Sequence, residues 1–163
     1  MNRILAVGIA AATLVISAGG VHAESHATDV QPFRLSVQGT ANPVATANPC
    51  ILTNSETAAG NELRLGAITL QASEVIDLCA NPQAAEIHGE ATLTTSTGDR
   101  LRMRYQTIGE MNPQAHQIVF GGRWAIVGGT GRFEDARGEG VLVGSGSLLP
   151  PFPDTVIFSG RLR

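Results

Sequence analysis

The chain has 163 residues, 43% of them apolar and 15% charged, with 19 Gly, 8 Pro and 2 Cys. That length suits one folded domain, the apolar share excludes a disordered chain, and the irregular glycines exclude a collagen. All 11 basic residues are Arg and the formal net charge is -3, which argues against the basic footprint that nucleic-acid binding needs.

Residues 1–23 read as a secretory signal peptide. Arg3 gives the positive start, 4–17 is an unbroken run of small and apolar residues, and Val21-His22-Ala23 supplies a small-residue cleavage site. The run is shorter than the roughly 20 residues of a spanning helix, and no basic stop-transfer cluster follows. Cleavage after Ala23 leaves one domain, residues 24–163, periplasmic or secreted, with no later segment able to span a membrane as a helix. Losing Arg3 takes the basic count from 11 to 10 against 14 acids, a net of -4. In an oxidising compartment the two cysteines, Cys50 and Cys79, are expected to form one disulfide. Neither belongs to a CxxC pair or has a histidine close by in sequence, so a redox pair or a metal clip is the weaker reading.

Further along, residues 33–40 alternate, with Phe33, Leu35 and Val37 on one face. Residues 41–62 are rich in Ala, Asn, Thr and Pro, and Asn42-Pro43 and Asn48-Pro49 mark turns. Residues 63–70 read as a strand with Leu63 and Leu65 on one side, and 71–79 fits a strand or a short helix. Residues 86–95 place Ile87, Gly89, Ala91 and Leu93 on one face; 100–108 do the same with Leu101, Met103 and Tyr105, opposite Arg100, Arg102 and Arg104. A hairpin centred on Thr97, with Gly98 taking the positive φ, pairs Leu93 with Leu101, Ala91 with Met103 and Glu90 with Arg104. In that register the apolar faces coincide and the charges complement each other. Strands follow at 117–127, about 136–148 and 155–162, with Pro150, Pro151 and Pro153 stiffening the last connection. No mature segment keeps a helical period. The pattern predicts an all-β fold, an eight-stranded antiparallel up-and-down β-barrel, because closure removes exposed strand edges.

The segment from Trp124 to Gly140 carries Gly128-Gly129-Thr130-Gly131-Arg132-Phe133. It is not a dinucleotide-binding turn: the third glycine of GxGxxG is missing and no helix follows to hold a pyrophosphate. The glycines permit a sharp reversal, Phe133 is placed to fold back and plug one barrel end, and Gly138, Gly140, Gly144 and Gly146 leave room on one face. With Ala136 and the Gly138/Gly140 spacing, the turn resembles that of the allene oxide cyclase and dirigent barrel families, particularly bacterial exported members. The stretches 60–66 and 95–105 extend the resemblance more weakly, to about half of the mature chain. It implies an eight-stranded antiparallel barrel with an apolar interior. For activity it implies cyclisation of an unstable epoxide or steering of phenoxy-radical coupling. Residues 24–60 match no catalytic pattern, so no catalytic residue carries over.

Glu86, His88 and Glu90 form a stripe at strand spacing that could suit a metal. The same face continues into Arg102 and Arg104, which reads instead as a solvated outer wall, so no metal and no cofactor is assigned. No GxSxG nucleophile motif occurs. The candidate ligand-binding residues are Tyr105, Trp124, Met103 and Phe120 on the inward face, the first two carrying polar handles that seek partners when buried. Three functions follow: a binding module for a small apolar molecule, a cyclase or isomerase confining a reactive intermediate, or a structural protein with a filled barrel, open to self-association as a homo-oligomer. A cavity of several hundred Å³ favours the first two. A buried ionisable group touching it favours the enzyme.

Overall fold

The structure, a computed structural model, describes residues 30–163; the signal-peptide reading at 1–23 lies outside them. Eight strands run β1 (Gln31–Ala45), β2 (Ile51–Glu62), β3 (Gly66–Asp77), β4 (Ala84–Thr95), β5 (Arg100–Asn112), β6 (Gln117–Thr130), β7 (Gly138–Ser147) and β8 (Pro153–Leu162). Each pairs antiparallel with its neighbours in sequence, and β1 pairs with β8 to close the barrel. No helix among the described residues is long and apolar enough to cross a membrane.

The β4–β5 hairpin has the register read from the sequence. Leu93 faces Leu101, Ala91 faces Met103, and Glu90 faces Arg104. Gly98 sits at φ 87°, where its missing Cβ avoids strain. The Glu90 carboxylate and the Arg104 guanidinium meet at 2.8 Å on the outer wall.

Elsewhere the strand boundaries differ from the sequence reading. Asn42-Pro43 is not a turn but lies inside β1, where Pro43 stands opposite Asn54. Residues 51–62 form a full strand, β2, that the sequence reading left as turn-rich chain. Residues 63–65 are the turn between β2 and β3, so Leu63 points outward and is 99% exposed, while Leu65 folds onto the core. The turn is held by Glu62, whose carboxylate accepts the N–H groups of Arg64 and Leu65 at 2.7 and 2.9 Å. Residues 71–77 continue β3, which settles the strand-or-helix ambiguity for that stretch in favour of strand.

The barrel has two unlike ends. At the plug end lie the β2–β3, β4–β5 and β6–β7 connections. There Gly131–Phe133 forms one turn of 3₁₀ helix that delivers Phe133 into the core, with the Arg132 guanidinium 5.1 Å above its ring. At the opposite end, Cys50 and Cys79 form a disulfide between the β1–β2 and β3–β4 loops. Pro150-Pro151 is cis in the β7–β8 loop at that same end.

Inside, three large rings each lie over a glycine on a neighbouring strand. Tyr105 stands opposite Gly89, Phe120 opposite Gly144 and Trp124 opposite Gly140. A Cβ built at any of the three glycines would collide with that ring. The alternate glycines of β7 therefore serve close side-chain approach, one of the two roles their spacing allowed.

Candidate functional site

Towards the plug end the interior is solid. Leu35, Leu93, Leu101 and Met103 are almost wholly buried there. The Trp124 ring meets Phe33 and Phe158 edge-on, at 5.5 and 6.5 Å between centroids, and its Nε1–H donates to the Val141 carbonyl at 3.0 Å. The indole is thus satisfied within the protein.

Towards the disulfide end the inward positions turn polar. Strand alternation brings Asn54 and Glu56 of β2, Glu74 of β3, Tyr105 and Thr107 of β5 and Asp154 of β8 to one interior cavity of about 90 Å³. Its apolar wall includes Ile87 of β4, Ile118 and Phe120 of β6, and Phe152 from the β7–β8 loop. Phe152 sits at φ 57°, and its carbonyl accepts the Ala41 N–H at 3.1 Å.

One part of the cluster is tightly satisfied. The Tyr105 hydroxyl donates to Glu74 Oε1 at 2.5 Å, and Asn54 Nδ2 donates to Glu74 Oε2 at 2.6 Å. Asn54 Oδ1 in turn accepts the Asn42 N–H at 2.8 Å, which fixes the amide. Burial, reinforced by the neighbouring Glu74 carboxylate and its hydrogen bond, pushes the Tyr105 phenol far above its ordinary range, so it remains a neutral donor.

The other part is unsatisfied. Glu56 is 7% exposed and its Oε1 has no hydrogen-bond partner; Thr107 is 2% exposed and its hydroxyl has none. Asp154 Oδ1 is also buried without a partner. Burial first, then the nearby Asp154 and Glu74 carboxylates, push Glu56 up to about 8. Burial and Glu74 push Asp154 up to about 6, against the opposing pull of the Gly39 N–H. Among the described residues, no arginine or histidine lines this cavity.

Of the four residues proposed from sequence, Tyr105 and Phe120 line the cavity, whereas Met103 and Trp124 lie in the solid part of the core. Asn54, Glu56, Glu74, Thr107 and Asp154 were not singled out. Strict alternation carried past the apolar residues of their strands would have found three of them, since Glu74 follows Leu70 and Ala72, Thr107 follows Tyr105, and Asp154 precedes Val156, at inward positions; Asn54 and Glu56 lie on β2, which has no such apolar face to extend. Glu86, His88 and Glu90 stand on the outer wall. An open depression runs past His88, Arg104 and Arg123, and its lining also includes Tyr105 and Trp124, but Glu56, Thr107 and Asp154, which carry the three unpartnered oxygens, do not line it.

No family model matches the chain, and no curated protein matches it. Among solved structures it is similar to a pterocarpan synthase dirigent protein, at 15% identity and a TM-score of 0.49, over 82% of this chain and 88% of that one. At that distance the likeness is one of barrel shape and carries no residue's role across.

Proposed function

We propose that this is an exported binding protein that takes a small molecule of mainly apolar body into the disulfide end of its barrel. The observation that carries this reading is the set of buried oxygens, Glu56 Oε1 and Thr107 Oγ1 above all, left unpaired beside a cavity. A buried polar group without a partner costs about 1–3 kcal/mol, so a folded chain holding several at one spot has a reason in what the spot receives. The Cys50–Cys79 disulfide supports the oxidising compartment that the signal-peptide reading requires.

The cavity is smaller than the several hundred Å³ of a drug-sized pocket. It compares with an engineered apolar cavity of about 150 Å³ that admits benzene. The ligand is accordingly one of a few heavy atoms. Native mass spectrometry of protein purified from its own compartment tests the reading. A co-purifying small molecule supports it. The bare protein mass, with Trp124 fluorescence unmoved by any small probe, rejects it. Trp124 is the only tryptophan, and Phe158 touches both its ring and the cavity.

A second reading, an enzyme of the cyclase or isomerase kind, is favoured by one feature: Glu56 is a buried carboxylic acid, proton-loaded at neutral pH, on the cavity wall. Product formation from a candidate substrate that is lost in Glu56→Gln would decide for it.

A further inference from the structure

The three unpartnered oxygens specify more than a polar end to the ligand. Glu56 Oε1 on β2, Thr107 Oγ1 on β5 and Asp154 Oδ1 on β8 belong to three different strands, and all three residues line the same cavity. Each of these oxygens can accept a hydrogen bond. Two donors of the cluster, the Tyr105 hydroxyl and the Asn54 amide, are already committed to Glu74; the Thr107 hydroxyl and the protonated Glu56 each keep one O–H, which a carboxylate neighbour can take. The titratable groups facing Glu56 are Glu74, Tyr105 and Asp154, and none is cationic. The site therefore offers acceptors and negative charge, and it lacks a free cation. No group of acidic, histidine or cysteine side chains among the described residues is gathered closely enough to ligate a metal. The matching head group is a primary ammonium, which presents three N–H donors and no acceptor.

We propose that the cavity takes a small primary amine, its ammonium head among Glu56, Asp154 and Thr107 and its short apolar tail against Ile87 and Phe120. This rests on the ligand-binding reading above and adds the chemical class. Two consequences separate an amine from a neutral ligand. Charge-assisted hydrogen bonds are roughly twice as strong as neutral ones, so the amine outcompetes its alcohol isostere. Glu56, protonated at neutral pH in the empty barrel, gives up its proton when a cation is seated beside it.

The test uses three four-carbon probes on the full mature protein at pH 7 and fixed ionic strength: n-butylamine, 1-butanol and sodium butyrate. Binding is followed by Trp124 fluorescence and by calorimetry. The expected result is that butylamine binds at least about tenfold more tightly than butanol, that butyrate does not bind, and that calorimetry in buffers of different ionisation enthalpy shows release of roughly one proton per amine bound. Glu56→Gln, which keeps the shape and removes the acid, abolishes the proton release and cuts the preference for amine over alcohol about tenfold. Equal binding of butanol and butylamine, or preferred binding of butyrate, overturns the amine and leaves the apolar-ligand reading standing. Failure of all three probes, with no molecule co-purifying, overturns both. Should Glu56→Gln fold poorly, the proton count on the unmodified protein decides alone, and a count of zero sinks the proposal.

Discussion

Glu56 makes the stability of the barrel depend on pH in a direction opposite to that of most carboxylates. Its folded-state value stands near 8 against an ordinary 4.5, so between those limits the native state holds a proton that the unfolded chain has lost. Stability is then fully present below about 4.5 and falls as pH rises towards 8. Each pH unit across that interval is worth about 1.4 kcal/mol, so the interval holds at most about 5 kcal/mol, and relaxation of the surroundings brings it to a few. Asp154 adds a smaller term of the same sign between 3.8 and about 6. Glu56→Gln keeps the volume and cannot ionise. Urea unfolding of the wild type and Glu56→Gln at pH 5 and pH 8, without reductant, should show the wild type losing several kcal/mol between the two while the variant loses much less. The variant should match the wild type within about 1 kcal/mol at pH 5 and exceed it at pH 8. Parallel pH profiles for the two proteins would mean that Glu56 reaches water when charged, and the reasoning about a buried acid would fail.

Three further expectations follow from the same structure. Trp124→Ala removes a ring held by Phe33, Phe158 and the Val141 carbonyl and should cost about 3–5 kcal/mol in denaturant unfolding. The chain has one tyrosine, so the phenolate absorbance rise of Tyr105 should appear only together with loss of native circular dichroism as pH is raised; titration of a folded protein near pH 10 would contradict the Glu74 bond. Gly144→Ala puts a methyl into the Phe120 ring and the Thr155 carbonyl, and should destabilise by about 1–3 kcal/mol, measured by the thermal midpoint.

The fold was legible where one face of a strand is apolar, and illegible where it is not. β4 and β5 separate their faces cleanly, with Ile87, Ala91 and Leu93 answering Leu101, Met103 and Tyr105 across the barrel wall. β2 presents Asn54, Glu56, Ala58 and Glu62 to the interior, so the usual alternation of apolar and polar residues gives no signal there. Its outward Thr53, Ser55 and Thr57 are as polar as its inward residues. Asn42-Pro43 misled for a different reason: tertiary pairing with β2 keeps the dipeptide extended where local preference reads a turn. The candidate site lies largely on the strand that patterning missed, because the polar inward residues that form the site are the ones that erase the pattern.

The division of the barrel into two halves has an energetic logic. Replacing buried charged groups by well-packed apolar ones is often neutral or stabilising, so Glu56 and Asp154 are not what holds the strands together. That work falls to the plug end, where Phe33, Trp124, Phe133 and the leucines of β1, β4 and β5 fill the lumen, and to the disulfide, which constrains the loops at the opposite, weaker end. A cross-link closing a loop of about 30 residues contributes roughly 3–4 kcal/mol on the chain-entropy account. That is comparable to what two unpartnered polar groups cost. The disulfide thus stands beside the part of the molecule whose interior is least able to stabilise itself, and the Cys50–Cys79 bridge and the polar cavity are two parts of one arrangement: a site that departs from good packing, next to a covalent tie that lets the barrel tolerate it.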